Sequence, residues 1–308
     1  MKAKVELAEN ILLIDDEKSD IDIEMWGDLS KYSTFKVGGK AKYVVKVSTA
    51  EQLVQAIRLF ISHDIPFYIL GGASNVLIDD KPWDGGVIVT KTPPTDFIYR
   101  DGLVEVFAGD YLPALIHKLA SWDLAGFEFL VGVPGTVGGA IIMNAGTSKM
   151  GICDFVEKVE IVDIKGKKYV INRNEMSWGY RYCSLPLRGY IVKAWLRVID
   201  KPAIDVLTYI REHMSWRRKH QPIDMPCAGS YFKNTPEFAA GYLIDQAGLK
   251  GYRIGGAQVS TKHANFIVNI GNATSSDILS LANYVKEAVK DKFGVLLEEE
   301  VKFISHER

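Results

Sequence analysis

From Phe129 to Ser148 the chain runs twenty residues without a charged side chain, and that run carries five glycines and Pro134. Length and apolarity alone would satisfy a membrane-crossing helix. Glycine and proline both oppose an uninterrupted helix, however, and Thr136 and Asn144 add polar groups. The run therefore predicts a buried, glycine-rich strand and loop region of a globular fold. Its centre, Gly132-Val133-Pro134-Gly135-Thr136-Val137-Gly138-Gly139-Ala140, permits close backbone approach over nine residues. A turn needs less than that, and the stretch suits a flat or extended ligand.

A second small-residue loop, Gly71-Gly72-Ala73-Ser74-Asn75, lies between the apolar runs 67–70 and 76–78. Consecutive backbone N–H groups beside small side chains form a concavity for phosphate oxygens; a tight hairpin turn would use the same residues. Neither loop has the Gly-x-Gly-x-x-Gly or Walker spacing, which disfavours a Rossmann or P-loop site. Two separate loops suit a dinucleotide held between subdomains. The candidate cofactor residues are Gly71, Gly72, Ala73, Ser74, Asn75, Pro134, Gly135, Thr136, Gly138, Gly139 and Ala140.

The hydrophobic pattern divides the chain into sections. Strand 43–47, a helix over 50–63 capped by Thr49, and strand 67–70 open a βαβ unit. Strands 86–90 and 103–108, a helix over 111–122, a strand pair 156–163 and 168–171 turning at Gly166, and strand 190–196 follow. A third section begins near 201 with a helix through about 220, a loop at Gln221-Pro222 and a strand around Ser230. Thr235-Pro236 then opens a helix ending at Gly248, and a last helix over 276–293 stops at Gly294. The expected boundaries are an acidic surface extension over 1–30, a cofactor-binding unit over 31–200 in two parts (31–91 and 92–200), and a third domain over 201–308.

The 37 basic and 38 acidic residues nearly cancel, so bulk charge favours neither nucleic acid nor a membrane surface as partner. Three cysteines without a Cys-x-x-Cys pair, and six scattered histidines, argue against a disulfide framework and against a metal site. The first thirteen residues lack the basic start and apolar core of a signal peptide; a reducing cytoplasm is the expected location.

Ala228-Gly229-Ser230-Tyr231-Phe232-Lys233-Asn234 sets a hydroxyl, an ammonium and an amide within seven residues. In a strand, Ser230, Phe232 and Asn234 share one face. Alone, Gly-Ser reads as a turn and Lys-Asn as a solvated strand end.

Taken together, these blocks resemble the UDP-N-acetylenolpyruvoylglucosamine reductase family. The resemblance also rests on Ser33-Thr34-Phe35-Lys36-Val37-Gly38-Gly39, Gly126-Phe127-Glu128-Phe129-Leu130, Asn144-Ala145-Gly146, Gly179-Tyr180-Arg181, Gly248-Leu249-Lys250-Gly251, Gly255-Gly256-Ala257-Gln258-Val259-Ser260, Asn265-Phe266 and 297–301. It implies an α+β chain: a two-subdomain FAD-binding fold of the vanillyl-alcohol-oxidase type with a C-terminal α+β substrate-binding domain. It also implies noncovalent FAD, NADPH as reductant, and reduction of the enolpyruvyl ether of UDP-N-acetylglucosamine-enolpyruvate to a lactyl ether in peptidoglycan synthesis, with no oligomer required. Carried over, the proton donor falls on Ser230 and the stabilising pair on Arg181 and Glu300. Tyr180, Lys233, Asn234 and His263 fall on the side of the anionic nucleotide substrate.

The chain departs from the family pattern in places. Tyr182 and Cys183 both precede Ser184 after Arg181, Thr235 separates Asn234 from Pro236, and the interval from Arg181 to Ser230 resembles a shorter branch without an inserted tyrosine-bearing loop. Two other readings stay open: another FAD-dependent oxidase or dehydrogenase on this fold, and a non-catalytic nucleotide-binding module. No histidine or cysteine for covalent flavin attachment stands in or beside the Gly71 loop, and Arg181, Ser230 and Glu300 are all present.

Overall fold

A computed structural model describes residues 21–90, 97–147 and 150–305. The first part contains β1 (Ile23–Asp28), β2 (Lys40–Lys46), α1 (Ala50–Ser62), β3 (Phe67–Leu70), β4 (Val76–Ile78) and β5 (Trp83–Val89). Thr49 caps α1 by accepting from Gln52 N, and α1 buries Leu53, Ile57 and Phe60. The sheet order is β1-β2-β5-β3, with β2 and β3 both parallel to β5. Phe60 closes over this sheet at Gly86, where any Cβ would fall 2.6 Å from its ring. Strand β1 was hidden in the acidic lead-in, expected as surface extension through residue 30. Pairing with β2 draws it into the sheet. Residues 1–20 of that expected extension lie outside the described residues.

The second part contains β6 (Ile98–Arg100), β7 (Leu103–Phe107), α2 (Leu112–Ala120), β8 (Leu124–Ala125), α3 (Val137–Ile142), β9 (Val156–Asp163), β10 (Lys168–Asn172), β11 (Ser177–Gly179), β12 (Tyr182–Ser184), β13 (Gly189–Arg197) and β14 (Ile199–Asp200). Its antiparallel sheet runs β10-β9-β13-β7-β6. One continuous core joins the two parts, from Val45, Leu53 and Ile57 to Val104, Leu112, Val159 and Val192. The glycine-rich run differs from expectation in having no strand. A single 3-10 turn at Glu128–Leu130 leads into the loop, and Thr136 then starts α3 by accepting from Gly139 N. With so few side chains, the loop has little to pack as a strand, and its main chain is held by neighbours instead. Gly135 O accepts from Leu112 N, and Val137 N and Gly138 N donate to Asp110 O and Ala108 O.

The third part contains α4 (Ala203–His220), α5 (Ala240–Gln246), β15 (Arg253–Ile254), β16 (Ala257–Val259), β17 (Ile267–Asn269), α6 (Ser275–Phe293) and β18 (Lys302–Ile304). Thr274 and Asp277 form a capping box on α6, which ends at Gly294 with φ +70°. Helix α6 buries Ile278, Leu281, Ala282, Val285 and Val289; each aliphatic side chain of that face contributes roughly 1.5–3 kcal/mol. The expected strand around Ser230 is instead a loop with two isolated bridges, Cys227 to Val268 and Phe232 to Glu299. Gly229 at φ +77° breaks the pleat, and the Asn265 side chain takes both main-chain bonds of Phe232, at 3.0 and 2.8 Å, in place of a strand. The helix expected from Thr235-Pro236 starts at Ala240. Thr235 closes a turn with Phe238, and the Asn234 carbonyl accepts from Ala240 N at 3.0 Å.

The third part is not separate from the first. Strand β18 returns to pair in parallel with β4, Phe35, Val37 and Leu77 complete the core beneath α6, and Asp80 accepts from Ser275 N at 2.5 Å where α6 begins.

Candidate active site

The two glycine loops press together main chain to main chain. A Cβ on Gly72 would lie 2.9 Å from Gly135 Cα, and one on Gly71 would lie 2.2 Å from Thr136 Oγ1. Larger residues would force the loops apart. On the open side matters are reversed: a Cβ on Gly135 would meet only Ser74 Oγ at 3.4 Å, and one on Gly139 only Thr136 Oγ1 at 3.5 Å. Ala73 sits at φ +45°, and Thr34 holds its carbonyl through both N and Oγ1. Among the described residues the N–H groups of Gly72, Ala73, Ser74, Gly135 and Thr136 donate to nothing. The result is a nest of free donors along a cradle that a Cβ would fill, which fits the pyrophosphate of a dinucleotide cofactor.

Arg181 stands in the turn of the β11–β12 hairpin at φ +62°. A non-glycine residue in this region costs about 1–3 kcal/mol and persists where its surroundings hold it. Here Nη1 donates to Gly146 O at 3.1 Å, Nε donates to Glu300 Oε1 at 2.7 Å, and the guanidinium lies 4.8 Å from the Tyr180 ring centre. Asn144, itself at φ +40°, fastens the hairpin by donating to Gly179 O and accepting from Cys153 N. The sequence reading gave Asn144 no such role.

Glu300 reaches the same spot from the chain just before β18. Its N–H donates to Tyr231 O at 2.8 Å and its carbonyl accepts from Asn75 Nδ2 at 3.1 Å, which ties it both to the Ser230 loop and to the first glycine loop. Burial pushes the Glu300 carboxyl above its ordinary pKa, although Arg181, Lys233 and Lys302 pull it the other way. Desolvation outweighs the ion pair.

Ser230 lies between Gly229 and Tyr231, whose N–H donates to Asn265 O at 2.7 Å. Its hydroxyl has no partner among the described residues. Tyr180 OH accepts from Asn234 N at 3.3 Å, joining the hairpin to the Ser230 loop. Lys233 pairs with the largely exposed carboxylate of Glu298. His263 accepts at Nδ1 from Asn265 N, and burial, aided by Lys250, lowers its pKa. Accepting at Nδ1 leaves the other ring nitrogen as the donor. Asn265, which pins the Ser230 loop from two sides, also had no role in the sequence reading; its buried amide beside an apolar segment was the available signal.

Arg181, Glu300, Asn75 and the Ser230 loop thus converge, as do Tyr180 and Asn234. Asn234 spends its side-chain carbonyl on α5. Among the described residues no cluster of three or more His, Cys, Asp or Glu is arranged for a metal, and no helix is long and apolar enough to cross a membrane.

Two family models match: an FAD binding domain over residues 41–172 and the C-terminal domain of UDP-N-acetylenolpyruvoylglucosamine reductase over residues 221–304. The UDP-N-acetylenolpyruvoylglucosamine reductase of Caldanaerobacter subterraneus subsp. tengcongensis is 39% identical, with 90% of this chain and 91% of that protein covered. The one from Caldicellulosiruptor saccharolyticus is 40% identical, with 94% of each covered. The crystal structure of the Thermus caldophilus reductase superposes with a TM-score of 0.77 at 35% identity, covering 92% of this chain and all of that one. The chain belongs to the UDP-N-acetylenolpyruvoylglucosamine reductase family.

Proposed function

We propose that this chain reduces the enolpyruvyl ether of UDP-N-acetylglucosamine-enolpyruvate to UDP-N-acetylmuramate with NADPH, and that Ser230, Arg181 and Glu300 carry the chemistry at the substrate. The observation that carries this reading is the half-buried Arg181–Glu300 pair, tied through the Glu300 main chain to the Ser230 loop at Tyr231 O and to the Asn75 side chain of the first glycine loop. When bound, FAD supplies the redox centre that takes hydride from NADPH and delivers it to one carbon of the enolpyruvyl double bond. Pro134, Gly135, Thr136, Gly138, Gly139 and Ala140 would hold it together with Gly71 to Asn75.

Ser230 gives its proton to the carbon next to the one that receives hydride. A serine hydroxyl is a feeble acid toward water, yet an enolate-like carbanion is basic enough to take that proton. Its hydroxyl, without a partner among the described residues, is available to substrate. Arg181 holds the substrate carboxylate with a planar fork of N–H groups. That carboxylate brings a second negative charge beside Glu300, which raises its pKa further. With a proton on it, Glu300 would donate toward the developing enolate oxygen. Tyr180, Lys233, Asn234 and His263 grip the nucleotide side, His263 as a donor.

The test is turnover of purified protein reconstituted with FAD, supplied with NADPH and the enolpyruvyl nucleotide. The reading expects NADPH consumption that depends on the nucleotide and yields the lactyl ether in equal amount. NADPH consumption indifferent to the nucleotide contradicts it.

A further inference from the structure

Two thiols meet beside the hairpin that carries Arg181. Cys183 stands on β12, shortly after Arg181 and opposite Trp178 of β11. Cys153 stands in the 3-10 turn Ile152–Asp154. Several contacts bring these distant stretches of sequence together. Trp178 Nε1 donates to Asp154 Oδ1 at 3.0 Å, Asn144 joins Gly179 O to Cys153 N, and both β12 and the Cys153 turn pack on α3. The two thiols are close enough to share a hydrogen bond. Neither has a part in the reduction proposed above.

The sulfurs differ in access and in acidity. Cys183 is half-buried between exposed Tyr182 and Ser184, whereas Cys153 is fully buried. The hydrogen bond from Cys153 lowers the pKa of Cys183 against the cost of its burial; the same bond, with burial, raises that of Cys153. The thiolate is the form that attacks an oxidant. Cys183 therefore reacts first, with Cys153 behind it in the place of a resolving thiol. Cys227, the third cysteine, has its pKa raised by burial.

We propose that Cys183 and Cys153 form a reversible disulfide when the protein meets a peroxide, and that this bond displaces the hairpin carrying Arg181. The Cys183 thiolate attacks one oxygen of hydrogen peroxide, the O–O bond breaks, and hydroxide leaves. The Cys153 sulfur then attacks the sulfenic sulfur of Cys183; the S–O bond breaks, and its oxygen leaves as water with the Cys153 proton. Overall two thiols lose two electrons and two protons, and hydrogen peroxide becomes two waters. Bonded sulfurs stand about 2.05 Å apart, far inside the contact distance of unbonded ones, so one side must move. Cys153 is held by Asn144 at its N–H and by Arg173 at its carbonyl, which leaves β12 to shift, and Arg181 with it. A misplacement of about 1 Å in a positioning group can cost about 10²-fold in rate. The effect on turnover rests on the reading of Arg181 above.

The experiment treats the full-chain FAD holoenzyme with hydrogen peroxide, removes the excess with catalase, and maps peptides without reduction by mass spectrometry. Stopped flow then follows each flavin half-reaction. A peptide linking Cys153 to Cys183, lighter by two hydrogens than the reduced pair, is expected. Reoxidation by the enolpyruvyl nucleotide should slow at least tenfold and recover with dithiothreitol, while reduction by NADPH stays near its untreated rate. Cys183→Ser and Cys153→Ala should each abolish the linkage and the slowing; Cys227→Ser should keep both. A Cys183 sulfenic acid that never links to Cys153 overturns the proposal, as does a linkage that leaves reoxidation unchanged or a slowing that Cys227→Ser prevents. If Cys153→Ala does not fold, Cys183→Ser and the wild-type peptide map carry the comparison. A reduced wild type that the nucleotide does not reoxidise fails the parent reading; a normal reduced enzyme without the linkage fails only this inference.

Discussion

At Glu300 two effects oppose each other, the pull of Arg181 at 2.7 Å and the cost of burying a carboxylate, and burial is the stronger. A folded-state pKa above the unfolded value means that the proton is held more tightly in the native protein. The stability it contributes is complete below the unfolded pKa and is lost as pH rises through the folded one. Product formation, if it uses this proton, should fall over the same window. Glu300→Gln, followed by stopped-flow flavin reoxidation and by melting temperature across pH, should flatten both profiles. A profile identical to wild type would remove Glu300 as the group responsible. Two glycines separate cofactor binding from folding in a similar way. Gly135→Val places its side chain in the cradle without meeting main chain, so it should fold with a normal circular dichroism spectrum and lose FAD. Gly72→Val collides with Gly135 and Pro134 and should lose stability as well as flavin. Retention of FAD by a folded Gly135→Val would place the cofactor elsewhere. Lys233 makes a pair with a well-exposed glutamate, and such pairs contribute only about 0–1 kcal/mol. A nucleotide phosphate can displace Glu298 at little cost. The charge-assisted bond so gained, about 1.5–3 kcal/mol, predicts a KM for the nucleotide at least tenfold higher in Lys233→Ala, with flavin reduction by NADPH unaffected; an unchanged KM returns Lys233 to a surface role.

Helices with caps and apolar faces were legible in the sequence because their signals are local. Thr49 and Gly294 mark ends that the structure keeps to within a residue or two. The glycine loops were legible as loops, since no side chain pattern competes there. Elements whose partners are distant in sequence were not. Strand β1 depends on β2 for its meaning, and its acidic flank masks the alternation. The Ser230 segment alternates like a strand but lacks a strand neighbour, and the Asn265 amide supplies the missing bonds from 33 residues away. Thr235-Pro236 has the form of a helix start, but the turn that Thr235 closes with Phe238 postpones α5 to Ala240. The β11–β12 hairpin was legible only as a motif. Nothing local in Gly179-Tyr180-Arg181 predicts that Arg181 adopts a left-handed backbone or that Asn144 fastens the turn. Both follow from long-range packing of the β11–β12 hairpin on the segment around Cys153.

Across the whole molecule, the proposed catalytic groups and their supports come from three places held by one another rather than from one rigid element. Arg181 belongs to the second part, Ser230 and Glu300 to the third, and Asn75 of the first donates its side-chain amide to the Glu300 main-chain carbonyl. Because Phe35 is fully buried in the core beneath α6, the first and third parts should unfold together. Phe35→Ala, which opens a cavity worth about 3–5 kcal/mol, should lower one melting transition seen alike by circular dichroism and by flavin release. Two separated transitions would show independent domains. The central claim, that Ser230 protonates the substrate carbon, is tested most directly by following flavin absorbance in stopped flow through each half-reaction of Ser230→Ala. Reduction by NADPH should proceed near the wild-type rate. Reoxidation by the enolpyruvyl nucleotide should slow by at least the roughly 10²–10⁴-fold expected for loss of a positioned general acid. Reoxidation of Ser230→Ala at the wild-type rate would contradict the account.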